Sequence, residues 1–138
     1  MVVADIMTTT VVTVEMDDSL ETIQAIFQRV RFHHILVVND NKLVGVISDR
    51  DLLKAISPFV GTPSERERDA NTLNKRAHQI MSRHPVTIYP HESVEKAITT
   101  ILEKQVTCLP IISGQCHIEG ILTWRDILSY LSSEKHDD

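Results

Sequence analysis

Gly45-Val46-Ile47-Ser48-Asp49-Arg50-Asp51 is the stretch on which the reading of this chain turns, because it returns 75 residues later as Gly120-Ile121-Leu122-Thr123-Trp124-Arg125-Asp126. Each copy reads glycine, two apolar residues, a hydroxyl residue, two further residues and aspartate. The echo continues outward on both sides. Leu53 matches Leu128, while Ile6-Met7 matches Ile80-Met81, Val12-Thr13 matches Val86-Thr87 and Ser19-Leu20-Glu21 matches Ser93-Val94-Glu95, the last three at a spacing of 74 residues. Order, spacing and residue type agree over so long a stretch that the chain is an internal duplication.

Each copy carries the same alternation of elements. Val11 to Glu15 and Val86 to Tyr89 are rich in β-branched residues and read as short strands. Ser19 and Ser93 stand where helix N-caps belong, their hydroxyls accepting from amides left free in the first turn. Leu20, Ile23, Phe27 and Val30 fall on one helical face, as do Val94, Ala97, Ile98, Ile101 and Leu102. Buried strands follow at Ile35 to Val38 and Leu109 to Ile112. Asn39-Asp40-Asn41-Lys42 and Ser113-Gly114-Gln115-Cys116 are hairpin turns, third strands run Leu43 to Ile47 and Ile118 to Leu122, and short helices run Asp49 to Ile56 and Arg125 to Leu131. The expected fold is mixed α/β (α+β), two tandem β-α-β-β-α repeats related by a pseudo-two-fold axis. A repeat of about 50 residues buries too little apolar surface alone, so the copies are expected to pack sheet against sheet with equivalent loops around a cleft. The boundaries are repeat 1 at 1–57, a connecting segment at 58–79, repeat 2 at 80–133 and a polar tail at 134–138.

The connecting segment has no counterpart after the second copy. Pro58, Gly61 and Pro63 break the chain. Ser64 with Glu67 makes a capping box, and Ala70, Leu73, Ala77 and Ile80 then share a face, which predicts a structural helix of about 15 residues from Ser64 to Gln79.

Composition narrows the function classes. The 138 residues are 42% hydrophobic and 24% charged with only 4% aromatic, so Val, Ile and Leu fill the core. No apolar run reaches the roughly 18 residues that span a bilayer, and the beginning lacks the pattern of a signal peptide, so a cytoplasmic protein without membrane partners is expected. A net charge of −5 argues against nucleic acid as a partner, because broad nucleic-acid binding needs a basic face to displace counterions. Arg66, Arg68, Lys75, Arg76 and Arg83 are interleaved with Glu65, Glu67 and Asp69, the pattern of a solvated face. Cys108 and Cys116 are too few for a disulfide framework, and Cys108 lies in an apolar run as a small buried hydrophobe.

The spacing within the repeated motif has a physical logic. If the strand ends at the hydroxyl residue and a helix begins there, the first amides point outward and, with the hydroxyl, receive a phosphate. One turn later Asp51 or Asp126 lies on the same side, placed to accept from ribose hydroxyls, and Val46 or Ile121 packs against a purine. The plainer reading makes Ser48 and Thr123 N-caps with Asp51 and Asp126 completing a capping arrangement. Capping and ligand binding are compatible.

The two repeats resemble a pair of cystathionine-β-synthase (CBS) domains, the tandem arrangement called a Bateman module. The resemblance covers roughly residues 4 to 132 and rests on the Gly-x-x-Ser/Thr-x-x-Asp element together with the 74-residue echo. It implies two clefts that hold AMP, ADP, ATP or S-adenosylmethionine as a regulatory ligand, with no catalytic cofactor, and a disc-shaped homodimer. Carried over by residue, the first cleft uses Ser48 for phosphate, Asp51 for ribose and Val46 against the base, completed by Met81, Val86, Val106 and Thr107. His34 matches a position that is often basic and faces phosphate. The second cleft uses Thr123, Asp126 and Ile121, with Met7, Val12, Phe32 and His33. Cys108 stands at its counterpart of His34 and supplies no positive charge, which sets phosphate binding there apart.

Other readings are weaker. His33 and His34 point to opposite faces of a strand, and the remaining histidines show no ligand spacing, so no metal site is expected. No Gly-rich phosphate loop, nucleophile elbow or paired catalytic carboxylate is present, and no enzyme activity is expected. Met7 and Met81 are either core residues or ligand contacts, and Trp124 either packs on its helix or screens the cleft. The function expected is a sensor of an adenine nucleotide acting on an effector protein in trans. The alternative is an oligomerisation module with empty clefts.

Overall fold

Ser19 starts a helix by accepting the Thr22 N–H on its Oγ at 3.2 Å, and Ser93 does the same for the Lys96 N–H at 3.1 Å. The computed structural model describes residues 1–136. The first repeat gives β1 (Thr13–Glu15), α1 (Leu20–Arg29), β2 (His34–Asn39), β3 (Lys42–Ser48) and α2 (Asp49–Ala55). Then come two short helices, α3 (Glu67–Ala70) and α4 (Ala77–Ile80), and the short strand β4 (Ser82–Arg83). The second repeat gives α5 (Val94–Lys104), β5 (Cys108–Ile112), β6 (Ile118–Thr123) and α6 (Trp124–His136).

The chain divides into two compact units. One, the first-repeat unit, comprises Val12–Asp40 and Val44–His84; the other, the second-repeat unit, comprises Met1–Val11, Asn41–Leu43 and Pro85 onward. In the first-repeat unit the strand order is β1-β2-β3-β4. Strands β1 and β2 are parallel, with Val14 opposite Val37, and β4 lies antiparallel to β3, with Ser82 opposite Val46. The two-residue link from β2 to β3 holds Asp40 and Asn41 at φ 52° and 63°, the positive pair a tight hairpin turn requires. Leu20, Ile23, Ile35, Val37, Ile47 and Ala77 form its core.

In the second-repeat unit β5 and β6 form an antiparallel pair, with Leu109 opposite Leu122. Its core joins Ala97, Ile101, Leu109, Ile111, Leu122 and Ile127 to Val3 from the leading segment. Cys108 is buried as expected, and burial pushes its thiol up to about 12.

The leading segment of each copy is seated on the other copy's fold by matching bonds. Val3 N–H donates to Glu92 C=O at 2.8 Å, and Val94 N–H to Met1 C=O at 3.3 Å. Seventy-four positions on, Ala77 N–H donates to Asp18 C=O at 2.8 Å, and Leu20 N–H to Lys75 C=O at 2.9 Å. Val3 and Ala77, the apolar anchors of the two segments, are both wholly buried.

Several expectations are corrected. The helix predicted from Ser64 to Gln79 is instead α3, a 3-10 turn at Asn71–Asn74 and α4. Arg66, not Ser64, is the cap of α3, its N–H held by Asp69 Oδ2 at 2.9 Å. Asp69 also takes the Ser57 hydroxyl at 2.7 Å, while the Thr72 hydroxyl donates to the Asp69 carbonyl at 2.7 Å and so takes an acceptor a continuous helix would use. The Ser57 bond, then the Arg66 N–H, hold the Asp69 carboxyl below its ordinary value. Lys75 and Arg76 leave the helical region to pair with the first repeat.

The strand expected at Val86 to Tyr89 is a single parallel bridge, Ile88 to Ile111. In the first copy Leu36 N–H donates to Val12 C=O at 3.0 Å, but its counterpart is Pro110, which has no N–H to give Val86. Leu102, placed on the buried face of α5, is 60% exposed because that face centres on Ala97 and Ile101. At the other end α6 continues to His136, into the stretch read as the polar tail at 134–138, and residues 137–138 lie outside the described residues.

Candidate functional site

Strand β3 ends at Ser48, whose extended backbone (φ −91°, ψ 162°) turns the chain into α2. Ser48 Oγ accepts the Asp51 N–H at 3.1 Å, and Asp51 Oδ2 accepts the Ser48 N–H at 2.9 Å. That reciprocal pair is a capping box, so the structural role foreseen for the motif is present. At the second copy Asp126 Oδ2 accepts the Thr123 N–H at 2.9 Å and the Thr123 hydroxyl at 3.2 Å. The other oxygen, Oδ1, accepts the Thr8 hydroxyl at 2.8 Å. Thr8 escaped the sequence reading. The signal was there in outline: Thr8 follows Met7, and its counterpart is another hydroxyl residue, Ser82.

The two motif glycines admit close neighbours. A Cβ at Gly45 would stand 2.5 Å from Met81 Sδ, and one at Gly120 would stand 2.7 Å from the Thr8 carbonyl oxygen and 3.0 Å from Met7 Sδ. Met81 is buried in the first-repeat core and Met7 packs against the second, so both are core residues. The obstacle at Gly120 is backbone, fixed by mutual bonds between Thr8 and Ile121 at 2.9 Å. Gly120→Ala is therefore expected to cost about 1–3 kcal/mol of stability, and Gly45→Ala less because a thioether can move. Urea unfolding of the two variants checks the order.

The structure gathers Ser48, Asp51, Val46, His34 and Met81 in the first-repeat unit, together with Val12, Phe32 and His33. Thr123, Asp126, Ile121 and Met7 belong to the second-repeat unit, together with Val86, Val106 and Thr107. Val12 packs on the first core, and Val86 and Val106 on the second. Val46 is half-buried, whereas Ile121 is buried. His33 is exposed and pairs through Nδ1 with Asp49 Oδ2 at 2.8 Å in its own unit.

His34 is the basic candidate for phosphate, and burial dominates its titration. Desolvation lowers its pKa below the ordinary 6.5, and His33 adds to this, while Asp49 and Asp51 act in the opposite sense. The shift favours the neutral imidazole at pH 7, so His34 is a hydrogen-bonding group more than a cation there. Because the unfolded chain binds this proton more readily, the stability His34 contributes is complete above pH 6.5 and is lost as pH falls through its lowered pKa. A His34→Gln variant is expected to flatten that acid slope in thermal melts. An unaltered slope would assign it to another group.

A CBS-domain family model matches residues 3–58 and 77–133. The chain belongs to the CBS-domain family. A CBS domain-containing protein of Dictyostelium discoideum is 30% identical over 131 residues, which span 94% of this chain and 90% of that protein. The CBS domain pair of protein MJ0100, solved in complex with 5′-methylthioadenosine and S-adenosyl-L-methionine, matches with a TM-score of 0.80 and 21% identity over 97% of this chain and 98% of its own. CBSX2 in complex with AMP matches with a TM-score of 0.80 and 24% identity, again over 97% and 98%. The fold is that of a CBS pair. The chain spans 47% and 23% of two other curated relatives, so it corresponds to part of those longer proteins.

Within this CBS pair Trp124 is partly exposed and lines a shallow groove on α6 with Arg125, Leu128, Ser129, Ser132 and Ser133. Among the described residues no helix is long and apolar enough to cross a membrane, and no three His, Cys, Asp or Glu side chains gather as metal ligands.

Proposed function

We propose that this chain is a regulatory ligand-binding module that takes an adenine nucleotide or S-adenosylmethionine at its Gly-x-x-Ser/Thr-x-x-Asp turns and signals to an effector protein in trans, without turning the ligand over. The observation that carries the reading is Asp51. Its Oδ2 caps the turn, and within the first-repeat unit no described donor reaches Oδ1, which leaves a carboxylate oxygen for a ribose diol. Ser48 and His34 supply polar groups beside it, and Val46 is the apolar wall for the base. The adenosine-containing ligands of the MJ0100 pair and CBSX2 support the same ligand class here. The expected compartment is the cytoplasm, where such ligands are abundant.

The test is a melting-temperature screen with AMP, ADP, ATP, S-adenosylmethionine and 5′-methylthioadenosine. A ligand that binds only the folded chain at a hundredfold excess over its Kd stabilises by about 2.7 kcal/mol. If all five leave the melting temperature unmoved, the reading fails.

A specific observation favours the second reading, an assembly module. Trp124, Leu128 and Leu131 form a stripe along α6 that is 39, 60 and 41% exposed, a face suited to a second copy. Light scattering that gives a dimer, with no ligand response, would select that reading.

A further inference from the structure

We propose that Thr8 is the residue that sets the two turns apart: its hydroxyl latches the Asp126 carboxylate, so that a nucleotide ribose is taken at Asp51 and the Asp126 turn stays closed. The proposal rests on the ligand-binding reading given above and deepens it.

The two aspartates occupy equivalent positions yet differ in what they have left to offer. Both oxygens of Asp126 carry donors: Oδ1 takes Thr8 Oγ1 at 2.8 Å, and Oδ2 takes the Thr123 N–H and hydroxyl at 2.9 and 3.2 Å. Asp51 takes only the Ser48 N–H within its unit, on Oδ2. Ser48 Oγ is turned to the Asp51 amide, whereas the Thr123 hydroxyl is turned onto the carboxylate itself.

The backbone does not explain the difference. Thr8 pairs with Ile121 as an antiparallel bridge, and its counterpart Ser82 pairs with Val46 in the same sense. The side chains do. Threonine is β-branched and holds few rotamers, so less freedom is lost in keeping its hydroxyl on Asp126, where it lies at 2.8 Å. Ser82 is exposed, and among the described residues of its unit its hydroxyl makes no bond to Asp51. A ribose diol arriving at Asp126 must displace or share a charge-assisted bond that is absent at Asp51, which lowers affinity there by about tenfold.

The test is titration calorimetry of the whole chain with AMP and, separately, with S-adenosylmethionine. Wild type is expected to bind one equivalent tightly, and Asp51→Asn to weaken it by about 5- to 150-fold. Thr8→Val, which keeps the shape and drops the hydroxyl, is expected to add a second equivalent or strengthen the weak one about tenfold, and Thr8→Ala to act in the same direction. Circular-dichroism melts establish that both variants are folded at the titration temperature. Binding that is present but indifferent to both Thr8 variants overturns this proposal alone. Two equivalents in wild type, lost equally with Asp51→Asn and Asp126→Asn, also overturn it. No binding of either ligand to any of the proteins overturns both this proposal and the reading beneath it.

Discussion

Replacing Val3 by aspartate is expected to unfold the second-repeat unit under conditions in which the unsubstituted chain is folded. Val3 is wholly buried, packed in one core with Ile88, Ala97, Ile101, Leu109, Ile111, Leu122 and Ile127. A carboxyl group placed there is either charged without a partner or neutralised at a cost. The penalty is on the order of 4 kcal/mol or more, a large share of the roughly 5–15 kcal/mol by which domains are stable. Trp124, the only tryptophan, lies on α6 of the same unit, so its fluorescence reports the transition directly. A urea midpoint left within error of wild type would mean that the leading segment is not seated where Val3 appears in the core.

Asp51→Asn is expected to lower affinity for the bound nucleotide by about 5- to 150-fold while barely changing the melting temperature. The amide oxygen can still accept the Ser48 N–H, which Asp51 Oδ2 now holds at 2.9 Å. The NH2 group then replaces Oδ1, and a donor faces the ribose hydroxyls where an acceptor is needed. Asp126→Asn is expected to change affinity far less, because its Oδ1 is already engaged by Thr8. Calorimetry on the two variants separates them, and equal losses would count against a single dominant site.

Much of this was legible in the residues because duplication prints each element twice. Ser19 and Ser93 identify each other as caps, and Asp40-Asn41 announced the hairpin that their positive φ values form. The capping box at Ser48 and Asp51 was read from spacing alone, since a helix turn fixes which side chain meets which amide. What escaped depended on partners distant in sequence. The 64–79 segment has a helical pattern, yet the Ser57 hydroxyl and the first repeat's backbone claim its groups. Pro110 shortened a ladder through a missing N–H opposite Val86, a loss visible only once register is known. Thr8 meets Asp126 across 118 positions, and no local spacing rule connects them.

The seating of Met1–Val11 on the second copy also bears on the order in which the chain assembles. The first-repeat unit draws on nothing beyond His84, so all its pieces have been made before the second copy emerges from synthesis. Met1–Val11 precedes that unit along the chain, yet the strand partner of Thr8 is Ile121, 113 positions further on. Bringing such distant residues together carries a loop-closure cost that grows with separation, and folds rich in such contacts form slowly. Until β6 is available, Val3, Ile6 and Met7 form a short apolar strip with no permanent seat. The second-repeat unit is therefore expected to be the slow step of folding, and its exposed leading strip the place where self-association in a nascent or heat-stressed chain begins; stopped-flow refolding followed by Trp124 fluorescence checks the order.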